Sequence, residues 1–385
     1  MIYKSASSSL IDAYRAGYTI GDLLKEIAPE AILLFASITI ENDYADFIAG
    51  LYDALESNEV IIVGGTGDGI YETSLTAHYG VCALGISSGG QLKWSAASGT
   101  GVGSDSEGAA RSCALAASEL LGEEAGWAFV LADGITADGT GIVAGVRDLF
   151  KFPFIGGLTG DDRKFARSRL FLNDRVIDDG IAILLASRGL PFITHSASGY
   201  LPMGNPGVVE ESEGRTIQRI SGRTPLTFIK EQIGKPLAEA DLGVLALANQ
   251  TSSSADRFFL RVMLSFDKNS GNITSFGSVP TGATVQISSA SREQLLQAVS
   301  NAIATLVNTG FTPAAAIVVS CVGRKWQLNN CGEEEVQAIL DALGAHLPLI
   351  GFPSFGEMGP FLKDDGSSTE SYFHNATCVV CLLGA

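Results

Sequence analysis

The sequence predicts an α/β protein (mixed α+β) in which repeated β-α-β units form twisted mixed sheets flanked by helices, divided between two domains. Three observations predict it. One pattern recurs along the chain: an apolar run, an amphipathic helix, then a second apolar run that ends in glycine. The apolar runs are short and continuous, which suits strands buried on both faces. Each intervening helix carries a single apolar face, and a strand–helix–strand segment of this length defaults to a right-handed parallel crossover.

The first unit reads AILLFAS (31–37), DYADFIAGLYDALE (43–56) and VIIVGGTGDG (60–69). Tyr44, Phe47, Ile48 and Leu51 follow helical spacing. The helix-forming segment before it, around residues 7–27, is the expected upstream partner. The second unit reads AFVLADG (128–134), GIVAGVRDLF (141–150) and FPFIGGLTGDD (152–162), preceded by LKWSAASGTGVG and a helix over 106–122. The third reads AAIVVSCVGR (315–324), EEEVQAILDALG (333–344) and LPLIGFPSFGEMG (347–359), preceded by ATVQISSAS and a helix over 292–308. Both upstream helices are expected to open with capping boxes, Ser104 with Glu107 and Ser291 with Gln294. Between the second and third units the chain reads as β-rich: RLFLNDRVID, GIAILLAS, FITHSASGYL, LGVLALAN and RFFLRVMLSF, the last entering the turn DKNSGN. A boundary near Glu213–Pro225 divides the chain into domains 1–215 and 216–385. The first has two units and the second one clear unit, with room for a degenerate second.

Composition narrows the function classes. Lys and Arg number 25 against 42 Asp and Glu, a formal charge of -17, and no basic stripe interrupts it. That field repels phosphate backbones and anionic membrane surfaces, so nucleic acid is not an expected partner. No stretch approaches the ~20 apolar residues that cross a bilayer. The N-terminus lacks the continuous apolar core of a signal peptide. The expected location is cytoplasmic, and the six cysteines (Cys82, Cys113, Cys321, Cys331, Cys378 and Cys381) are expected to be reduced thiols. Cys378 and Cys381 form a C-x-x-C, but two valines between them in an apolar run point to opposite faces of a core strand rather than to a zinc knuckle. SGTGVGSDSEG precedes a helix but lacks G-K-[ST] and the G-x-G-x-x-G spacing; H-E-x-x-H and G-x-S-x-G do not occur. No cofactor and no metal is called for.

Ligands of α/β sheets sit beyond the carboxyl ends of strands. There the glycine-ended runs place Gly64, Gly65 and Gly67 before Asp68, Gly156, Gly157 and Gly160 before Asp161 (with Thr159 between), and Gly351 and Gly356 before Glu357. Bare backbone N–H groups suit a carboxylate, and a lone acid suits an amine, so the set fits a zwitterion such as an amino acid. The same residues also suit tight turns whose acids cap local N–H groups. His374 and Asn375, with Arg324 and Cys321 at the end of the third unit's first strand, complete a polar cluster at one sheet edge. His374 has an equally ordinary use as a buried histidine bonded to backbone.

These motifs resemble the FIST domains, named for F-box and intracellular signal transduction proteins. Ile155–Asp161, FLND and SGYLPMG (Ser198–Gly204) resemble FIST N; EGRTIQRISGRTPL resembles the linker; VPTGATVQI, SCVGR (Ser320–Arg324), GFPSFGEMGP and FHNAT (Phe373–Thr377) resemble FIST C. The family favours Asn-Gln-Thr after the histidine where this chain has Asn-Ala-Thr. The resemblance implies a sensory domain for small ligands, amino acids foremost. With no output module in the chain, a separate signalling protein or self-association into a homo-oligomer would carry the readout. The expected ligand contacts are Arg324 to a carboxylate and Glu357 to an amine. His374 and Asn375 would set orientation, with Gly356, Cys321, Gly157, Thr159 and Asp161 around them. The competing enzyme reading is a thiol hydrolase of amides or esters, with Cys321 as nucleophile, His374 as base and Glu357 as orienting group. A scaffold without a ligand is the third class.

Overall fold

The computed structural model describes residues 1–162, 164–250, 258–330, 332–363 and 365–385. Each expected unit forms, and each also has a strand before its first helix and a hairpin plus a closing strand after its second parallel strand. The first comprises β1 (Ile2–Ser8), α1 (Ala13–Leu24), β2 (Ala31–Ser37), α2 (Tyr44–Leu55), β3 (Ile61–Gly67), the hairpin β4 (Ile70–Glu72) and β5 (Leu75–Ala77), and β6 (Val81–Ser87). The second follows the same order: β7 (Trp94–Thr100), α3 (Ser106–Leu121), β8 (Ala125–Ala132), α4 (Gly139–Leu149), β9 (Ile155–Leu158), β10 (Leu170–Leu172), β11 (Arg175–Ile177) and β12 (Gly180–Ser187).

The third unit opens with β13 (Phe192–Ala197) and is then interrupted. The segment with room for a degenerate unit instead forms β14 (Leu201–Glu213), β15 (Thr216–Ile220), α5 (Pro225–Ile233), β16 (Ala246–Gln250), β17 (Phe258–Phe266), β18 (Ile273–Ser275) and β19 (Thr284–Ser289). Its six strands close into a barrel in the order β14-β15-β18-β17-β16-β19. Every described pairing in it is antiparallel, which lets short loops join neighbours. β14 and β15 pair across residues 214–215. The third unit then resumes with α6 (Arg292–Asn308), β20 (Pro313–Cys321), α7 (Val322–Gln327), α8 (Glu333–Leu343), β21 (Leu349–Ser354), the hairpin β22 (Glu357–Gly359) and β23 (Tyr372–His374), and β24 (Cys378–Gly384).

The three units assemble by exchanging hairpins in a cycle. The sheets run β1-β6-β2-β3-β10-β11, β7-β12-β8-β9-β22-β23 and β13-β24-β20-β21-β4-β5. Unit 2 therefore lends its hairpin to sheet 1, unit 3 to sheet 2 and unit 1 to sheet 3. Among the described residues only β2/β3, β8/β9 and β20/β21 are parallel, and each is bridged by the expected crossover helix. At the same register position in each pair the strands approach too closely for a side chain. A Cβ on Gly64, Gly156 or Gly351 would lie 2.1, 1.8 or 2.0 Å from the carbonyl oxygen of Leu34, Val130 or Val318.

Alternation along the strands explains their continuous apolar character. Leu33 and Phe35, Phe129 and Leu131, and Ile317 and Val319 point into one core shared by all three sheets. There the Phe35 ring sits 4.5 Å from Phe352 and 5.8 Å from Phe129. The intervening residues face the helices: Ile32 and Leu34 meet α1 and α2, Val130 meets α3 and α4, and Val318 meets α6 and α8. Cys378 and Cys381 alternate the same way, one toward the helices and one into the shared core. The five described cysteines are free and buried; Cys331 lies outside the described residues, as does Arg257, the first residue of RFFLRVMLSF.

Capping departs from expectation once. Ser291 and Gln294 form both halves of their box. In α3 the cap is Asp105, which accepts from Gly108 N–H, while Ser104 Oγ donates to the Gly101 carbonyl and so closes the preceding turn instead. A carboxylate one residue later reaches the free amide of the first turn with its full charge, and displaces the serine.

Candidate functional site

The three glycine-ended loops do meet. Gly160 N–H donates to the Thr66 carbonyl at 2.8 Å, Leu158 N–H to the Gly356 carbonyl at 2.8 Å, and Asp68 N–H to the Pro353 carbonyl at 3.1 Å. Backbone thus joins unit 1 to unit 2, unit 2 to unit 3, and unit 3 back to unit 1. Of the loop amides, those of Gly160, Leu158 and Asp68 tie the units together.

The carboxylates of these loops are likewise engaged. Asp161 is buried and accepts from the N–H groups of Phe165, Ala166 and Arg167 at 2.6–3.0 Å. Thr159 Oγ1 donates to the Ala132 carbonyl and meets Ser168 Oγ. Glu357 is wholly buried on β22 and accepts from Ser354 Oγ at 2.5 Å, Thr377 Oγ1 at 2.8 Å and Thr377 N–H at 3.2 Å. Burial outweighs these bonds and pushes its carboxyl up to about 8. A group that is neutral around pH 7 does not supply the negative charge expected to meet an amine. Gly157 stands opposite Glu357 in the ladder, and a Cβ there would meet Val319; one on Gly356 would meet the Phe373 ring.

Arg324 is also wholly buried, and its fork is filled by protein. Nε and Nη2 donate to Glu335 Oε1 at 2.9 and 2.6 Å, Nη2 donates to the Leu295 carbonyl at 3.1 Å, and Nη1 donates to the Ser198 carbonyl. The carboxylate expected from a ligand is therefore that of Glu335, at the first turn of α8. Ser320 Oγ donates to the same group, so β20, α6, α7 and α8 share one buried ion-pair network. His374 bonds the Gly359 carbonyl through Nε2 at 2.9 Å and packs against the rings of Phe259, Phe361 and Tyr372. Burial brings it down to about 4, so it is neutral, and its Nδ1 has no hydrogen-bond partner among the described residues. Asn375 Oδ1 accepts from Val262 N–H at 3.3 Å. Cys321 is buried at the end of β20, where burial first and the nearby Glu357 second push its thiol up. Among the described residues no hydrogen bond joins Cys321 to His374, so the chain Cys–His–Glu is not assembled by contact.

A second polar centre lies where unit 1 meets α7. Buried Lys325 Nζ donates to the Asp68 carbonyl and stands 3.5 Å from Asp68 Oδ1 and 3.0 Å from His78 Nδ1, while Trp326 Nε1 donates to Asp68 Oδ2 at 3.3 Å. Asp68, His78 and Asp162 bring ligand atoms within 4.8 Å of one another, a donor set that a divalent cation uses. Here the Lys325 ammonium already stands among them.

The concave surface suited to a small molecule lies elsewhere: a cavity of about 570 Å³ between α4 and the barrel. That volume is within the range of small-molecule sites. Val143 and Ala144 of α4 form one wall, Phe259, Asn249 and Val279 of the barrel the other, and Tyr372 and Phe373 of β23 the floor. None of the nine expected ligand contacts lines it; His374 follows Phe373 directly but its ring is enclosed by aromatics. The residue missed from sequence is Arg261, buried on β17 and lining this cavity. It was visible as the one charged side chain inside the apolar run FFLRVMLSF.

Comparison with known proteins finds two domain families along the chain. Residues 30–223 match the FIST N domain and residues 225–360 the FIST C domain. "Uncharacterized protein MT0656" of Mycobacterium tuberculosis (strain CDC 1551 / Oshkosh) is 28% identical over 218 residues, covering 54% of this chain and 56% of that protein. "Uncharacterized protein Mb0898c" of Mycobacterium bovis is 27% identical over 220 residues, covering 54% and 55%. The chain spans about half the length of the curated relatives it matches. Among solved structures, the cyanuric acid hydrolase of A. caulinodans aligns over 100% of this chain and 99% of its own at 8% identity, with a TM-score of 0.36.

Proposed function

The chain belongs to the FIST family, its FIST N and FIST C domains lying end to end, and on that premise we propose that it is a small-ligand sensory protein whose ligand occupies the cavity between α4 and the barrel. The observation that carries this is the conjunction of about 570 Å³ of mostly apolar space with a buried arginine on its wall. A concave, mostly apolar space with a few well-placed polar groups is the usual form of a small-molecule site. Amino acids and related small metabolites have the right size, and the family resemblance favours them. α4 belongs to unit 2 and the barrel interrupts unit 3, so a bound molecule would brace two units against each other. That change is what a separate output protein, or a second copy of the chain, would read.

The test is a thermal-shift screen of amino acids, their keto and hydroxy acids, and nucleotides, run on the native protein and on Ala144→Phe. A true ligand at 100–1,000 times its Kd stabilises by ~3–4 kcal/mol. Ala144→Phe fills the cavity from the α4 side and should erase that gain. A ligand that stabilises both proteins equally would place the site elsewhere.

A further inference from the structure

The chemistry around Arg261 says which head group the cavity takes. Its guanidinium lies between two rings, with Cζ 5.4 Å from the Phe373 centroid and 5.9 Å from that of Phe259. Nε donates to the Ser278 carbonyl at 3.1 Å, and Nη1 to the carbonyls of Leu260 and Phe373 at 3.0 and 3.1 Å. These bonds hold the fork in place but bring no negative charge. Among the described residues Arg261 has no salt bridge, and its Nη2 has no hydrogen-bond partner. Burial lowers its pKa, partly offset by Asp138, to about 10, which leaves it charged at neutral pH. Asp138 itself is engaged: Oδ1 accepts from Thr140 N–H as the cap of α4, and Oδ2 accepts from Ser278 Oγ.

The remaining walls supply nothing for an ammonium. No aspartate or glutamate is among the described residues lining the cavity. Arg147, the other cation there, is already paired with Glu370 at 2.6 Å and lies over the Tyr372 ring. The Thr140 hydroxyl is buried without a partner among the described residues and adds one neutral polar group. A buried charge with no carboxylate in direct contact is costly, and an incoming anion removes the cost. An ammonium group would add to it.

We propose, resting on the reading that this cavity is the ligand site, that its ligand is a monocarboxylic acid with an apolar body and no ammonium group, its carboxylate held by Arg261. The class includes 2-oxo acids and simple aliphatic or arylalkanoic acids rather than the amino acids of the same skeleton. One unpaired cation suits a monoanion; a phosphate dianion would need further donors.

Calorimetric titration of the full chain at pH 7.5 with matched probes tests this. Two skeletons are used: phenylpyruvate, 3-phenylpropanoate, phenylalanine and 3-phenylpropanamide, and 4-methyl-2-oxopentanoate, 4-methylpentanoate, leucine and 4-methylpentanamide. Within at least one skeleton the acid and oxo acid should bind at least tenfold more tightly than the amino acid and the amide. Arg261→Met should remove that preference and Arg261→Lys should keep part of it. If Arg261→Met fails to fold, Ala144→Phe on the opposite wall must still abolish binding of the acid. An amino acid or amide that equals the acid, while Ala144→Phe still blocks both, overturns the head-group assignment and leaves the cavity reading standing. Binding that ignores both Arg261→Met and Ala144→Phe, or no binding by any of the eight, overturns both.

Discussion

Replacing Glu357 by glutamine should flatten the fall in stability between pH 6.5 and 8. The carboxyl is wholly buried, and burial outweighs its bonds to Ser354 and Thr377 to raise it from 4.5 to about 8. Between those values the unfolded chain has released this proton and the folded chain has kept it, so stability is greatest below pH 4.5 and is lost as pH rises to about 8. His374 acts in the opposite sense. Burial lowers it from 6.5 to about 4, so its contribution is complete above pH 6.5 and is lost as pH falls. The two slopes oppose each other from pH 4.5 to 6.5, and Glu357 acts alone from 6.5 to 8. At about 1.4 kcal/mol per pH unit, that interval is worth roughly 2 kcal/mol. Glutamine suits the site: its oxygen can accept from Thr377, and its amide can donate to Ser354 Oγ, which lies 3.4 Å from the Ser320 carbonyl oxygen and can donate its own proton there. Urea unfolding of both proteins at intervals from pH 5.5 to 9 would give the difference in stability directly. It should shift by roughly 2 kcal/mol in favour of the variant across the interval and level off above pH 8. A difference that stays constant would mean that Glu357 ionises like an exposed carboxylate, and the burial argument would be refuted.

Two further perturbations separate structural from functional roles. Arg324→Ala leaves Glu335 as an uncompensated buried charge, so it should lower unfolding free energy by about 3–5 kcal/mol, measured by urea titration; a stability like that of the native protein would mean the pair is not buried. Cys321 is held as a thiol, so in the folded protein at pH 8 it should resist iodoacetamide for as long as the chain stays folded, with modification appearing only on unfolding and read by peptide mass spectrometry. Rapid alkylation of the native protein would support the nucleophile reading.

The parallel crossovers were legible because strands such as AILLFAS alternate between two apolar environments and so read as continuous apolar runs. The hairpin exchange was not, because β10 and β11 announce only their pairing with each other and nothing local marks β3 as the third partner. Ser104 reads as a cap because Ser104 and Glu107 fit the capping-box pattern, whereas the actual cap, Asp105, has Gly108 three residues on and forms no box. At the site, type and burial were readable but partners were not. Arg324 looked available because its counter-ion, Glu335, is one of three consecutive glutamates at a helix start that otherwise reads as a solvated turn. Asp161 and Glu357 satisfy the ordinary rule that a buried polar group finds a partner nearby. Arg261 departs from that rule in charge, and its meaning depends on Phe373, distant in sequence, and on α4 of another unit.

Crystals soaked in 4-bromophenylpyruvate would test the central claim most directly, because the bromine's anomalous signal marks position without reference to any fitted pose. The account predicts a peak between α4 and the barrel, with the carboxylate density on the Arg261 guanidinium. A peak beside Lys325 and His78, or a fully loaded crystal with no signal between Ala144 and Phe259, would contradict it.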